Sequence, residues 1–276
     1  MDRAFSRKST TDPLNQSTLQ RHENVPRQTN RGTPSSSFRE QGRRQGHARQ
    51  LHGTTASVKP ASSFGGFRKR TVTAWGFTRA IASIAAHAPT LYRVWIRREL
   101  DPGFREELML AVSKLNDCRY CSWAHHEWAS IDGVPEEELA HIEQKDPAHF
   151  DRGKWLAISF VRELVEGRFR AVSGELMRKM QAEYTAREIK DIILVAKVMD
   201  ASNLGANTFD ALRSRLRGVP AQGSRIFDEV ILTAAFCCAL PPILLVLSLS
   251  SKRSIREMTR RMMHYTKHME AERGRN

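Results

Sequence analysis

Residues 103–132 read GFREELMLAVSKLNDCRYCSWAHHEWASID, and the apolar spacing within them decides the fold class. Behind Pro102, residues Phe104, Leu108, Ala111, Val112 and Leu115 fall on one face of a helix. Asp117 offers a cap for a second helix, which is predicted to run to Gly133. Two successive helices joined by so short a turn are expected to pack against each other.

The same periodicity extends in both directions. AWGFTRAIASIAAHAP (74–89) and TLYRVWIRREL (90–100) carry apolar residues at helical spacing, with a stop expected at Pro89. Downstream, Pro135 suits a first helical position, Ser173 a cap, and Thr185 with Glu188 a capping box. That box opens a run to Leu216 which contains Gly205 and is open to division into two helices. No segment shows strand alternation. The expectation is an all-α domain over 73–218 with about eight helices.

Charge is unevenly placed. The chain has 276 residues and a formal net charge of +14. Residues 1–70 carry 14 Lys/Arg against 4 Asp/Glu, and residues 251–276 carry 8 against 3. The basic character therefore belongs to the ends, and the middle resembles an ordinary soluble domain. Residues 1–72 have too few large apolar side chains to offset the entropy of ordering and read as a disordered basic arm. Without interleaved aromatic residues or a motif, specific nucleic-acid binding is not expected. Four cysteines in two close pairs are too few for the disulfide framework of a secreted mini-protein. No apolar stretch near the start suits a secretory signal.

Residues 226–251 form an apolar segment, and 252–276 a basic helical tail. Val230 to Ser251 is 22 residues without a charge, about 33 Å as one helix and enough for a bilayer core. Pro241 and Pro242 at its centre predict a break. The basic residues after it belong on the cytoplasmic side by the positive-inside rule. A proline-hinged pair of helices on the cytoplasmic face of a membrane satisfies both features, and a contact between soluble copies is the other reading. Cys237 and Cys238 in this run read as small apolar residues.

The chemistry concentrates in DCRYCSWAHH (117–126). On a helix, Cys118, Cys121, Ser122 and His125 lie at i, i+3, i+4 and i+7 and share a face. Free N–H groups in a first turn favour a thiolate at Cys118, and His125 one turn from Cys121 can take a proton. Glu106, on the preceding helix, can orient that histidine. A c-type haem site is excluded because Ser122, not histidine, follows the second cysteine. Zinc would need a fourth ligand that no second cysteine or histidine pair supplies. A redox dithiol and an incidental pair of core cysteines remain open.

FREELMLAVSKLNDCRYCSWAHHEWA (104–129) resembles the carboxymuconolactone decarboxylase superfamily, in its AhpD-like alkylhydroperoxidase branch. The shared pattern is a glutamate, eleven residues, then CxxCxxxH, matched by Glu106, Cys118, Cys121 and His125. The likeness covers about 75–216, including ILVAKVMDASNLGANTFDAL. It implies an all-α fold that forms homo-oligomers, Cys121 as the residue attacking a hydroperoxide, Cys118 as its resolving partner, and His125 with Glu106 as a proton relay. An external dithiol or disulfide reductase would restore the thiols, and no metal, haem or flavin is required. The decarboxylase chemistry that names the superfamily fits less well, since its members generally lack the cysteine pair. Tyr120 stands where the best-understood peroxidase relatives carry a histidine, and a phenol is a poor base near neutrality. That departure motivates an alternative, a dithiol–disulfide exchange protein. The tails and apolar segment motivate another, a membrane-associated redox sensor without turnover. His126 is read as facing away from the relay.

Overall fold

Asp101 starts the helix that carries the quoted stretch. Its carboxylate accepts the Phe104 N–H at 2.8 Å, and Pro102 sits in the first turn, where it has no helical bond to lose. The computed structural model describes residues 66–144 and 150–273, and among them every regular element is helical. In chain order these are α1 Ala74–Ala85, α2 Ala88–Leu91 with a π-helical turn Tyr92–Ile96, α3 Pro102–Leu115, α4 Arg119–Ile131 and α5 Glu136–Gln144. There follow α6 Arg152–Glu166, α7 Gly174–Glu183, α8 Ala186–Leu216, α9 Ile226–Ser251 and α10 Ile255–Arg273. The all-α class is observed.

Helix α3 is the centre of the molecule. Leu108, Leu110, Ala111 and Val112 are fully buried, and α3 packs on α4, α6 and α8. Each fully buried aliphatic side chain contributes on the order of 1.5–3 kcal/mol, so this helix anchors the core. Two local details differ from the sequence reading. Pro89 lies inside the first turn of α2 and does not stop a helix. Asp117 adopts a left-handed φ of 54° and ends the α3 turn, which leaves Cys118 as the cap of α4.

Helix α8 opens with the Thr185–Glu188 capping box and continues without division for 31 residues. Gly205 interrupts nothing. A β-carbon there would stand 3.1 Å from the Phe77 ring, so the glycine lets α1 approach α8 closely. Residues 66–72, assigned to the basic arm from the sequence, lie against the same helix. Lys69 pairs with Asp210 at 2.8 Å in a buried bridge, and the Val72 N–H donates to Thr208 at 3.1 Å. The rest of the expected arm lies outside the described residues.

Helix α9 corrects the expected hinge. It runs unbroken through Pro241 and Pro242. A proline pair costs the helix two backbone hydrogen bonds; packing of the inner face offsets that loss. Leu232, Leu244 and Leu247 are buried, and Phe236, Leu240 and Ile243 pack beside them against α4 and α8. By length and composition α9 is long and apolar enough to cross a membrane, with a mean hydropathy of 2.5 over its most apolar window, of which 17% is buried. Lys252, at φ 55°, turns the chain into α10. Glu127 of α4, 4% exposed, receives Arg261 at 2.7 Å and Arg253 at 3.4 Å and so fastens α10 down. The described residues all belong to one compact unit, Ala61–Asn276.

Candidate functional site

The α3–α4 turn brings Glu106 and the cysteine-bearing face of α4 together. Cys118 and Cys121 are joined in a disulfide, with Cα atoms 5.4 Å apart. Cys118 is fully buried and Cys121 half-buried, at the junction of two apolar clusters. The Cys121 N–H points at the Cys118 sulfur at 3.4 Å, because Cys118 is the helix cap. An N–H and a helix N-terminus aimed at that sulfur favour its thiolate in the reduced form.

His125 follows one turn after Cys121. Its Nδ1 lies 2.6 Å from Glu106 Oε2, and both side chains are buried. A carboxylate only accepts, so Nδ1 carries the proton and Nε2 of the neutral ring is left as the acceptor. Trp128 packs on the ring with centroids 5.5 Å apart. The other Glu106 oxygen accepts from Arg105 Nε at 3.0 Å and Nη2 at 2.8 Å. Burial alone would raise the Glu106 pKa, but His125 and Arg105 outweigh it and hold the carboxyl below its ordinary range. Glu106 is therefore a fixed anion that orients the imidazole.

Arg105 is the member of this cluster that sequence reasoning missed. Neighbours in sequence do not normally face each other on a helix. Here the long guanidinium stem folds back past Trp95, 5.7 Å from its ring, to reach the adjacent carboxylate.

All four residues singled out in the sequence, Glu106, Cys118, Cys121 and His125, thus lie on the α3–α4 pair. Tyr120 is engaged elsewhere. Its hydroxyl accepts from Arg213 at 2.7 Å and Arg119 at 3.0 Å and lies 3.3 Å from Asp210. Burial, with Asp210 adding to it, raises the phenol pKa further, so Tyr120 is not a base at neutral pH. His126 Nε2 meets Glu136 at 3.0 Å on the far side of α4. Among the described residues, no group of three or more His, Cys, Asp or Glu side chains is placed to hold a metal ion. Cys237 and Cys238 are free and exposed on α9.

Comparison with known proteins finds no matching family model and no similar curated protein.

Proposed function

We propose that this chain is a thiol-dependent, AhpD-like oxidoreductase that reduces hydroperoxides through Cys118 and Cys121. The observation that carries the reading is a bonded cysteine pair on the same helix face as a histidine already polarised by a buried carboxylate. In the reduced protein the Cys121 thiolate attacks the terminal oxygen of R–O–OH. An S–O bond forms as the O–O bond breaks, leaving Cys121 sulfenic acid and an alkoxide. His125, held by Glu106, takes the Cys121 thiol proton on Nε2 as the thiolate forms and passes it to the alkoxide, and R–OH leaves. The Cys118 thiolate then displaces hydroxide from the sulfenic sulfur, the hydroxide takes a proton, and the disulfide and water result. An external dithiol returns two electrons and two protons.

The test is stopped-flow oxidation of the reduced chain by an organic hydroperoxide, with thiols counted before and after. Stoichiometric loss of two thiols with fast kinetics is expected; a reduced chain that ignores hydroperoxides sinks the reading. A second reading is supported by the hydroxyl of Tyr120, which is held by Arg213 and Asp210 and supplies no second base beside the cysteines. In that reading the pair exchanges with protein disulfides and is slow with peroxide. Reduced protein that reacts with a disulfide substrate but not with hydroperoxide selects it. Association with a membrane on its cytoplasmic face, supported by the composition of α9 and the basic residues after it, belongs to the same proposal, as does assembly into homo-oligomers.

A further inference from the structure

Helix α9 has two unlike faces. Its inner stripe is buried at Leu232, and Phe236, Leu240, Ile243, Leu244 and Leu247 pack on α4 and α8 in the cluster that encloses Cys118 and touches Cys121. Its outer face is apolar from end to end and open to solvent, with Phe227 and Leu249 each 70% exposed and Val230, Leu245 and Val246 about half exposed. On α1, which packs beside α9, Trp75 is also 70% exposed.

We propose that this outer face is a seat on an anionic lipid surface, with the α9 axis in the plane of that surface, and that the hydroperoxide reduced at Cys121 is one carried in the lipid. The inference rests on the peroxidase and membrane reading above, and sharpens it.

Three observations choose this occupant and this orientation. First, α9 cannot span while it is packed as it is. Its inner stripe, with Leu232, Leu244 and Leu247 buried, would have to leave the core and expose the apolar faces of α4 and α8 that it covers. A helix with one face in protein and one face apolar and free fits an interfacial position, sunk about 5–10 Å into the headgroup boundary. Second, the fringe of the face is cationic. Arg225 lies before α9, Lys252 and Arg256 lie after it, and all are exposed. The acidic residues of α9, Asp228 and Glu229, are turned inward. Such a fringe is complementary to anionic headgroups. Third, the same fringe disfavours a second copy. A two-fold axis would pair α9 antiparallel with itself and bring Arg225 of one copy toward Lys252 of the other.

The substrate class follows from which helix bears the seat. The face opposite the lipid is the wall of the dithiol's own apolar cluster, so an acyl hydroperoxide has only the thickness of one helix layer between its medium and that cluster. The chemical step is the one balanced above, with R an acyl chain.

Co-sedimentation with phosphatidylcholine vesicles, with and without phosphatidylglycerol, tests the seat. Binding is expected to rise with the anionic lipid and to be released by alkaline carbonate. Phe227→Glu with Leu249→Glu, at the two most exposed apolar positions of the outer face, is expected to weaken binding by about a hundredfold or more, through loss of two apolar side chains from the lipid. That variant, reduced, should lose oxidation by phospholipid hydroperoxide in vesicles yet react with tert-butyl hydroperoxide in solution as the parent does. Carbonate-resistant binding means a span and overturns the in-plane seat. No vesicle binding, or a lipid-free dimer that the variant dissociates, overturns the lipid assignment. Equal loss with both hydroperoxides overturns the substrate class. If the parent ignores both hydroperoxides, the peroxidase reading falls with the substrate class, while the vesicle arm still decides the seat.

Discussion

Glu106 and Glu107 are adjacent on α3, both buried, and in opposite electrostatic states. Glu106 accepts from Arg105 on one oxygen and meets His125 on the other, and its carboxyl is held below the ordinary range although burial works the other way. Glu107 points to the other side of the helix, toward Glu138 and Lys154. There burial, with the hydrogen bond to Glu138 added, pushes it up to about 8, although Lys154 stands 3.3 Å away. Lys154 also serves Glu138, at 2.9 Å. One ammonium shared by two carboxyls leaves a proton between them, whereas one carboxylate shared by a guanidinium and an imidazole stays an anion. Burial alone therefore does not mark a working carboxylate; the ratio of cations to carboxyls does. On this contrast Glu106 has the fixed negative charge that the proposed relay requires, and Glu107 does not.

The largest expected effect tests whether the Glu106 side is reactive at all. Cys121→Ser should abolish oxidation by hydroperoxide, and Cys118→Ser should leave a sulfenic acid that a dimedone reagent traps, read by mass spectrometry. Full activity in Cys121→Ser would remove the reason to rank the two glutamates differently.

Next, Glu106→Gln should slow hydroperoxide-driven thiol oxidation by roughly 10²–10⁴-fold, the usual scale for losing a positioned acid–base pair. Glu107→Gln should leave that rate within about threefold, since it lies outside the relay. Equal losses in stopped-flow traces of the two variants would show that α3 packing, and not the His125 partner, sets the rate.

Stability should separate the pair by sign of pH dependence. Glu106, lowered in the fold, adds stability that is present above the ordinary value of 4.5 and is lost as pH falls through its folded pKa. Glu107, raised, does the reverse. Between 4.5 and about 8 the unfolded chain ionises it and the folded chain does not, so stability falls as pH rises across that window. Glu107→Gln should remove about 1–3 kcal/mol of that decline, less than the full shift implies because Glu138 is lowered in exchange. Urea titrations at both ends of the window measure it. An unchanged slope in the variant would place the proton elsewhere.

The smallest effect concerns the other face of α4. Tyr120→Phe should cost about 1–2 kcal/mol, by leaving Arg213 and Asp210 without their shared hydroxyl, and should alter the peroxide rate by less than about twofold. A large rate loss with an unchanged melting temperature would bring Tyr120 into the chemistry after all.

What could be read in advance follows the range of the interaction. The α3 and α4 faces, the Thr185 box and the grouping of Glu106, Cys118, Cys121 and His125 depend on helical register and a short turn, both of which are local. Arg105 was hidden because its reach to the next residue depends on a side-chain conformation, held between Trp95, the Val94 carbonyl and Glu106, that helical register does not specify. Pro241, Pro242 and Gly205 misled for a shared reason. Each is a helix breaker by local preference, and each sits where packing from a distant helix decides: α4 and α8 against the inner face of α9, and Phe77 over Gly205. The cap of α4 shifted by one residue because Asp117 adopts a left-handed turn, which aspartate tolerates better than most residues.

The clasp of Arg253 and Arg261 on Glu127 has a practical corollary for anyone shortening this chain. Met258 and Met262 belong to the same cluster as Cys118, so a protein ended after Leu216 would lose that wall together with α9. It would also leave the Glu127 carboxylate without either guanidinium. Such a fragment is expected to expose the dithiol to water and to air oxidation, and its reactivity would describe the cut edge more than the intact protein.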